Sequence, residues 1–451
     1  MNISEAALQG EFEVVCGPVL KEKTIPVMPK PRLEKTSITQ PKLPAIGLLV
    51  LVNLIAASFL YSPGTEDVET LHRWTAEITA YGLRGGFAHS LADYPPLTFV
   101  FLAAVAQLAS ALGLGWFIVL KSSVFLFLAA MTAAFYWFTR NLLLTAGFES
   151  TLVLNSVALG YIDVYSGLFV IAALFLLQRG YLTLALVLFT TSCFIKWQPL
   201  ILAPFIGVYV VAIARDGPSN GGKVSRIIAP FAASGIIVVI PVFLFFGANV
   251  LEAFDRIISY RYISGNALNL GWIFTWALHV IQPDAYGSLN AGQIDLIIAP
   301  ETLPTWPAKI LFYAVYAIIF VVFARQKKTF ERLVTYSMLC YLAYFIFNTG
   351  VHENHLFLVP CFAWILVFLN PDYLTRCLNL SIAANANLFL FYGVFGQPLP
   401  FPRVIAGVDI TLWFALANVA LFFDLLLRHF KAEGIGARFW LAPGNAQGPR
   451  R

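Results

Sequence analysis

The chain alternates long apolar runs with short polar breaks. Residues 44 to 61, 227 to 247 and 410 to 427 are each apolar over close to the ~20 residues a helix needs to cross ~30 Å of hydrocarbon. A helix satisfies its own backbone hydrogen bonds in that medium, which irregular chain cannot do. The pattern predicts an all-α polytopic membrane protein of about twelve crossings, several of them short enough to be broken or tilted. One stretch resists the count. Residues 116 to 138 and 141 to 159 read as two apolar segments where the flanking loops allow one net crossing, with Arg140 at the start of the second and Glu149 within it. It therefore reads as an interfacial or protein-buried helix.

Composition agrees with the pattern. Hydrophobic residues make up 59% of 451 and charged residues 12%, too few to clothe a water-facing surface, so lipid supplies much of the solvent. Charge then sets orientation, because Lys and Arg concentrate in cytoplasmic loops. Lys21, Lys23, Lys30, Arg32, Lys35 and Lys42 precede the first span, and further basic groups occupy the loop 215 to 226, the cluster Arg325-Gln326-Lys327-Lys328, the turn at Arg376, and Arg428, Lys431 and Arg438. All of these are expected inside, with 62 to 95, 248 to 307 and 350 to 355 outside. Residues 1–42 are polar, contain proline and lack the apolar core of a signal peptide, so they read as a flexible cytoplasmic tail. Residues 43–430 form the transmembrane domain and 431–451 a second cytoplasmic tail. No basic run has the density of a nucleic-acid groove, so no nucleic-acid partner is expected. The five cysteines lack C-x-x-C spacing, which argues against zinc and disulfide frameworks. No internal repeat stands out, and no soluble segment is long enough for a nucleotide-binding fold.

The polar residues worth attention sit in the outer segments. The first holds Glu66-Asp67-Val68-Glu69 with His72-Arg73-Trp74 and ends in Asp93-Tyr94-Pro95-Pro96. A general base needs a carboxylate beside a cleft of low dielectric, and both Asp67 and Glu69 qualify; the alternative is the solvated face of a short surface helix. Pro95-Pro96 fits the start of a helix, where a missing donor costs little. The last outer turn reads Val351-His352-Glu353-Asn354-His355, whose polar groups are expensive near a bilayer unless they meet water, a partner or a ligand. Its spacing is not the His-Glu-x-x-His of zinc proteases, so no metal is expected there. Helix capping is the alternative. Asp163, among aromatics, suits positioning of an acceptor or a side chain, or a helix-terminal charge. Lys196 suits a lipid phosphate or, with Trp197, an interfacial anchor. Arg256, Arg261 and Asn266 through Asn269 offer cationic and amide groups for phosphate or sugar hydroxyls.

Taken in order, Asp67-x-Glu69-x-x-His72-Arg73-Trp74 with Tyr94-Pro95-Pro96-Leu97, Gly160-x-x-Asp163, Lys196-x-Gln198-Pro199, Asn266-x-x-Asn269 and Val351-His352-Glu353 resemble the GT-C superfamily of multi-spanning glycosyltransferases that use polyprenyl-phosphate sugars. Similarity is greatest to the prokaryotic mannosyltransferase-like members and to the eukaryotic dolichyl-phosphate-glucose glucosyltransferases. The motifs cover residues 61 to 355. The resemblance implies a GT-C-like bundle with a functional first outer loop, and inverting transfer of a hexose, mannose or glucose, from a polyprenyl-phosphate carrier to a lipid-linked glycan or other acceptor. It implies that an acid of that loop, by position Asp67 with Glu69 as competitor, is the base. It implies that His352 lies near the donor phosphate, with Glu353, His355, Arg73, Lys196, Arg261, Asn266 and Asp163 as substrate-binding candidates, and that the protein sits among the lipids of a bacterial cytoplasmic membrane with its site outward. No cofactor and no metal are implied. Two departures stand out: Leu159-Gly160-Tyr161-Ile162-Asp163 replaces the Trp-Gly-Gln-x-Asp of many prokaryotic relatives, and Leu71 replaces an aromatic. The rival expectation is a polytopic transporter or lipid-carrier flippase, which should show inverted repeats and paired broken helices.

Overall fold

The computed structural model describes residues 42–216, 222–282, 296–298, 305–397 and 404–435, so most of both expected tails lies outside the described residues. What it describes is dominated by helices. In chain order these are α1 (Lys42–Ser58), α2 (Glu66–His89), α3 (Pro96–Leu112), α4 (Trp116–Thr139), α5 (Leu142–Ser150), α6 (Asp163–Gln178), α7 (Leu182–Ile195), α8 (Ala203–Asp216), α9 (Lys223–Ser234), α10 (Ile240–Phe246), α11 (Asn249–Ile258), α12 (Leu270–Ile281), α13 (Trp306–Arg325), α14 (Phe330–Phe347), α15 (Leu358–Leu369), α16 (Leu374–Tyr392) and α17 (Ile410–Ala432).

Six stretches among the described residues are long and apolar enough to cross a membrane: 43–61, 116–139, 198–216, 224–246, 306–325 and 410–432. The three apolar runs singled out in the sequence fall within or nearly within them. The protein is thus a helical membrane protein. The remaining apolar helices are shorter, and packing explains how they survive. The 14 residues of α7 and the 12 of α15 span only about 21 and 18 Å at 1.5 Å per residue. Beyond their ends the chain continues as tight 3-10 turns, Gln198–Leu202 and Glu353–Leu356, buried against protein, where irregular backbone is tolerated at membrane depth. Helices α14 and α15 are apolar and buried all round, which marks them as the centre of the bundle. Ring contacts stiffen the packing nearby, with Phe138 stacked on Phe175 at 3.9 Å and Phe135 on Phe148 at 4.2 Å. Cys193, Cys340, Cys361 and Cys377 are buried free thiols within this packing.

The stretch that resisted the span count is a break. After α5 the chain makes a π-turn, Leu154–Ala158, and Glu149 is fully buried, its Oε2 accepting from Asn53 Nδ2 at 3.1 Å. The all-α expectation also misses two small antiparallel ribbons, β1 (Tyr262–Gly265) with β2 (Leu296–Ile298), and β3 (Val404–Ile405) with β4 (Val408–Asp409). The second is a tight hairpin closed by Ala406-Gly407, whereas the first joins segments on either side of α12.

The first outer segment becomes α2, an amphipathic helix that buries Val68, Leu71, Trp74, Thr75 and Ile78 on one stripe. Its N-terminus is docked through glycine. Thr65 N–H donates to Leu159 O at 3.0 Å, and Gly160, at φ +78°, passes so close that a Cβ there would lie 2.5 Å from Val68 Cγ2. The Gly160-x-x-Asp163 motif thus begins with a residue needed for backbone approach. Gly160→Ala is expected to cost about 1–3 kcal/mol, by strain and overpacking, and to loosen the start of α2. Gly82 lies at φ +71° and ψ 172°, a region essentially restricted to glycine, but with nothing within 4 Å of its Cβ. Gly82→Ala should therefore cost about 1–3 kcal/mol through backbone strain alone, without loosening the start of α2. Chemical unfolding, with protease cutting near residue 65 as the local readout, separates the two.

Candidate active site

The start of α2 and five connections between helices meet at one cavity of about 180 Å³. The start of α2 contributes Asp67 and, two turns on, Trp74; the α2–α3 turn contributes Asp93 and Tyr94. Tyr161 comes from the turn before α6, Gln198 from the turn after α7, and His352 and His355 from the turn after α14. Tyr260, following α11, completes the wall. The aromatic side is packed, with Trp74 at 5.3 Å from Tyr94 and 5.5 Å from Phe99.

Beneath the cavity lies a buried polar network. Asp163 opens α6 and Lys196 closes α7; the two helices form an antiparallel hairpin of nearly equal length, so their outer ends meet and the two side chains make an ion pair. The other oxygen of Asp163 accepts from Asn354 Nδ2 at 3.2 Å, which ties the hairpin to the histidine turn. Tyr161 O–H donates to Glu353 Oε1 at 2.6 Å, and Asn387 Nδ2 donates to the Glu353 carbonyl at 3.1 Å. His355 is held on both ring nitrogens. Its Nδ1 accepts from His352 N–H at 3.2 Å and faces Tyr344 O–H at 3.1 Å, which leaves the proton on Nε2. Gln198 faces that nitrogen at 2.7 Å; turning its amide so that the oxygen accepts satisfies both groups, including a Gln198 oxygen that is otherwise buried without a partner.

His352 is placed by backbone contact. Gly265 N–H donates to Val351 O at 2.8 Å, and a Cβ at Gly265 would lie 2.8 Å from His352 Nδ1, so the imidazole rests on a glycine surface. Its pKa is lowered, first by withdrawal from water and further by Lys196, against the opposing pull of Asp67 and Asp93. It is therefore a neutral imidazole at neutral pH. Asp67 moves the other way. Withdrawal from water and the nearby Glu353 carboxylate push its pKa up to about 7, although His352 and Lys196 favour the ionised form.

The residues chosen from the sequence thus divide. Asp67, His352 and His355 come together in the cavity; Glu353, Asp163 and Lys196 lie behind it as supports, and Lys196 meets a carboxylate. Glu69 and Arg73 are exposed on the far side of α2 and do not line the cavity. Arg261, one residue past Tyr260, is exposed and is also not among the lining residues. Asn266 and Asn269 are structural joints: Asn266 Nδ2 donates to Tyr392 O–H at 3.2 Å, and Asn269 caps α12 and donates to Phe345 O at 2.8 Å. The Asn269 amide is engaged within the protein on both its atoms, whereas Asn266 Oδ1 is buried without a hydrogen-bond partner; neither residue is among those that line the cavity. Asp93 and Gln198 line the cavity too, although the sequence motifs that contain them single out neither. A carboxylate before a Tyr-Pro-Pro run reads as a helix start, and only the fold brings it to the cavity that His352 lines.

A group of basic residues lies at the other end of α14. Arg332 bonds the Glu433 carboxylate at 3.0 and 2.6 Å at the start of α14, whereas Tyr344, near that helix's end, faces His355. The helix that separates the two ends has 18 residues and is about 27 Å long. Neither the protein-family models nor the curated proteins give a match to this sequence.

The shift at Asp67 has a stability consequence. Between the pKa of an unfolded aspartate and about 7, the folded chain holds a proton that the unfolded chain has released, so stability falls as pH rises through that window. Asp67→Asn removes the penalty. The variant is expected to unfold at a higher temperature than the parent at pH 8 and at about the same temperature at pH 4, as followed by intrinsic fluorescence.

Proposed function

We propose that the protein is a membrane-embedded glycosyltransferase that moves a hexose from a polyprenyl-phosphate carrier to a hydroxyl acceptor, with the cavity as its active site. The observation that carries this reading is that Asp67 and His352, the two positions the GT-C resemblance marks for base and donor phosphate, line one cavity. In the reaction the acceptor hydroxyl gives its proton to the Asp67 carboxylate as its oxygen attacks the anomeric carbon. The bond from that carbon to the phosphate oxygen breaks, and the electron pair leaves with the lipid phosphate. A single displacement inverts the anomeric centre. A base whose conjugate acid has a pKa near 7 suits this role, because it is ionised at working pH yet basic enough to take the proton.

Neutral His352 offers the phosphate an N–H donor, and Arg261 is the guanidinium we assign to it from the cavity's edge. We place the cavity on the non-cytoplasmic side, with the basic turns at the far end of α14 in the cytoplasm, following the positive-inside rule. The short buried helices supply the crossings that bring the six long spans to about twelve. A bacterial cytoplasmic membrane and a lipid-linked glycan acceptor belong to the same proposal.

Transfer from a polyprenyl-phosphate hexose by the purified protein tests it. Below pH 7 the rate should rise about tenfold per pH unit and level off above, as Asp67 ionises. Asp67→Asn should lose a factor on the order of 10²–10⁴ or more while still binding the carrier, whereas Glu69→Gln should stay near the parent rate. His352→Ala should raise KM for the donor. Full activity of Asp67→Asn would remove the reading; loss in Glu69→Gln alone would move the base to a residue that does not line the cavity.

A further inference from the structure

At the end of the bundle away from this cavity there is a second, larger hollow of about 660 Å³, between α8, α9 and α13. Its floor is one stripe of α8, Pro204, Gly207, Val208, Val211 and Ala212, at the three- and four-residue spacing of a single helix face. Phe231 of α9 and Phe320 of α13 form the sides. The same stripe ends, one turn on, at Arg215, and Lys327 and Lys328 rim the hollow from the turn after α13. From Pro204 to Arg215 the stripe runs about 17 Å, roughly half the hydrocarbon thickness of a bilayer.

The charges at the rim are arranged to receive an anion. Lys328 is already occupied: its ammonium donates to the carbonyls of Phe323 at 2.8 Å and Ala324 at 2.9 Å, and to that of Gln326. It thereby neutralises the negative end of α13, which would otherwise repel a phosphate. Arg215 and Lys327 are exposed, and Asp216 is the one carboxylate among the described residues of the lining. Three cations against one anion leave the rim positive, at the depth where headgroups meet acyl chains.

We propose that this hollow is a binding site for an anionic membrane phospholipid of the leaflet at the basic end, one acyl chain lying along the α8 stripe and the phosphate meeting Arg215 and Lys327. The site is independent of the proposed transfer reaction. A neutral or zwitterionic lipid fills the apolar floor equally well, so the rim is what selects.

Native mass spectrometry of the full-length protein, titrated with phosphatidylglycerol and with phosphatidylcholine of the same acyl chains, reads the preference. Two basic contacts predict about thirtyfold tighter binding of phosphatidylglycerol, and about fivefold is lost with each of Arg215→Gln and Lys327→Gln. Both side chains are exposed, so the fold should persist, with the unfolding temperature as control. Gly207→Leu fills the floor without touching the rim, since nothing lies within 4 Å of a Cβ there, and it should weaken binding with both charges intact. Equal affinity for the two lipids, an unchanged preference in the Arg215→Gln/Lys327→Gln double variant, or unchanged binding in Gly207→Leu would overturn the proposal. Displacement of phosphatidylglycerol by millimolar inorganic phosphate would do so as well, by making this a site for free anions.

Discussion

Asp163 and Lys196 are both about 95% withdrawn from solvent and meet where the α6–α7 hairpin closes. Taking such a pair out of water costs several kcal/mol per ion before attraction and hydrogen bonds offset it, so its presence is better explained by geometry than by stability. The geometry is that of the cavity floor. Through Asn354 the pair grips the histidine turn, through the chain it fixes Gln198 two residues past Lys196, and its charges enter the fields at Asp67 and His352. Losing either partner would leave an uncompensated charge beneath the cavity, and losing Asp163 would also remove the tie through Asn354 to the turn that carries His352.

Around this floor the rest of the site is built from close backbone contact. Gly160 lets α2 approach the turn before α6, and Gly265 lets the imidazole of His352 rest against the chain. Asp67 and His352 are therefore held from two directions by elements far apart in sequence. The lining of the cavity comes from α2, the end of α11 and the turns between helices, with Gln198 alone drawn from a long apolar stretch. This placement also explains how helices too short for lipid persist next to helices of full length: their ends stop in buried turns that carry the polar side chains.

Much of this was legible in the sequence where a single physical constraint dominates. Apolar length announces the spans at α1 and α17, and the cost of polar groups near a bilayer singles out Asp67, His352 and His355. The polar face of α2 was legible too, but which of its acids faces inward was not, since Asp67 and Glu69 differ by two positions on an undetermined helical phase. Asp163 and Lys196 were each noticed and not joined; two helices of matched length between them were the available signal. Asn266 and Asn269 fall outside the cavity lining, a placement that spacing along the chain cannot show. Ribbons as short as β1 and β3 carry too few residues to show a period of two.

The central claim is that Asp67 and His352 share one substrate. A structure of the protein with a polyprenyl-phosphate hexose bound would test it most directly. The account predicts the lipid phosphate in hydrogen-bond contact with His352 and the sugar lying across the cavity. It also predicts an acceptor position between the anomeric carbon and Asp67, with the carboxylate about 2.6–3.2 Å from the attacking oxygen. A carrier lipid seated elsewhere, with its phosphate away from His352 and Asp67 facing only water, would contradict it.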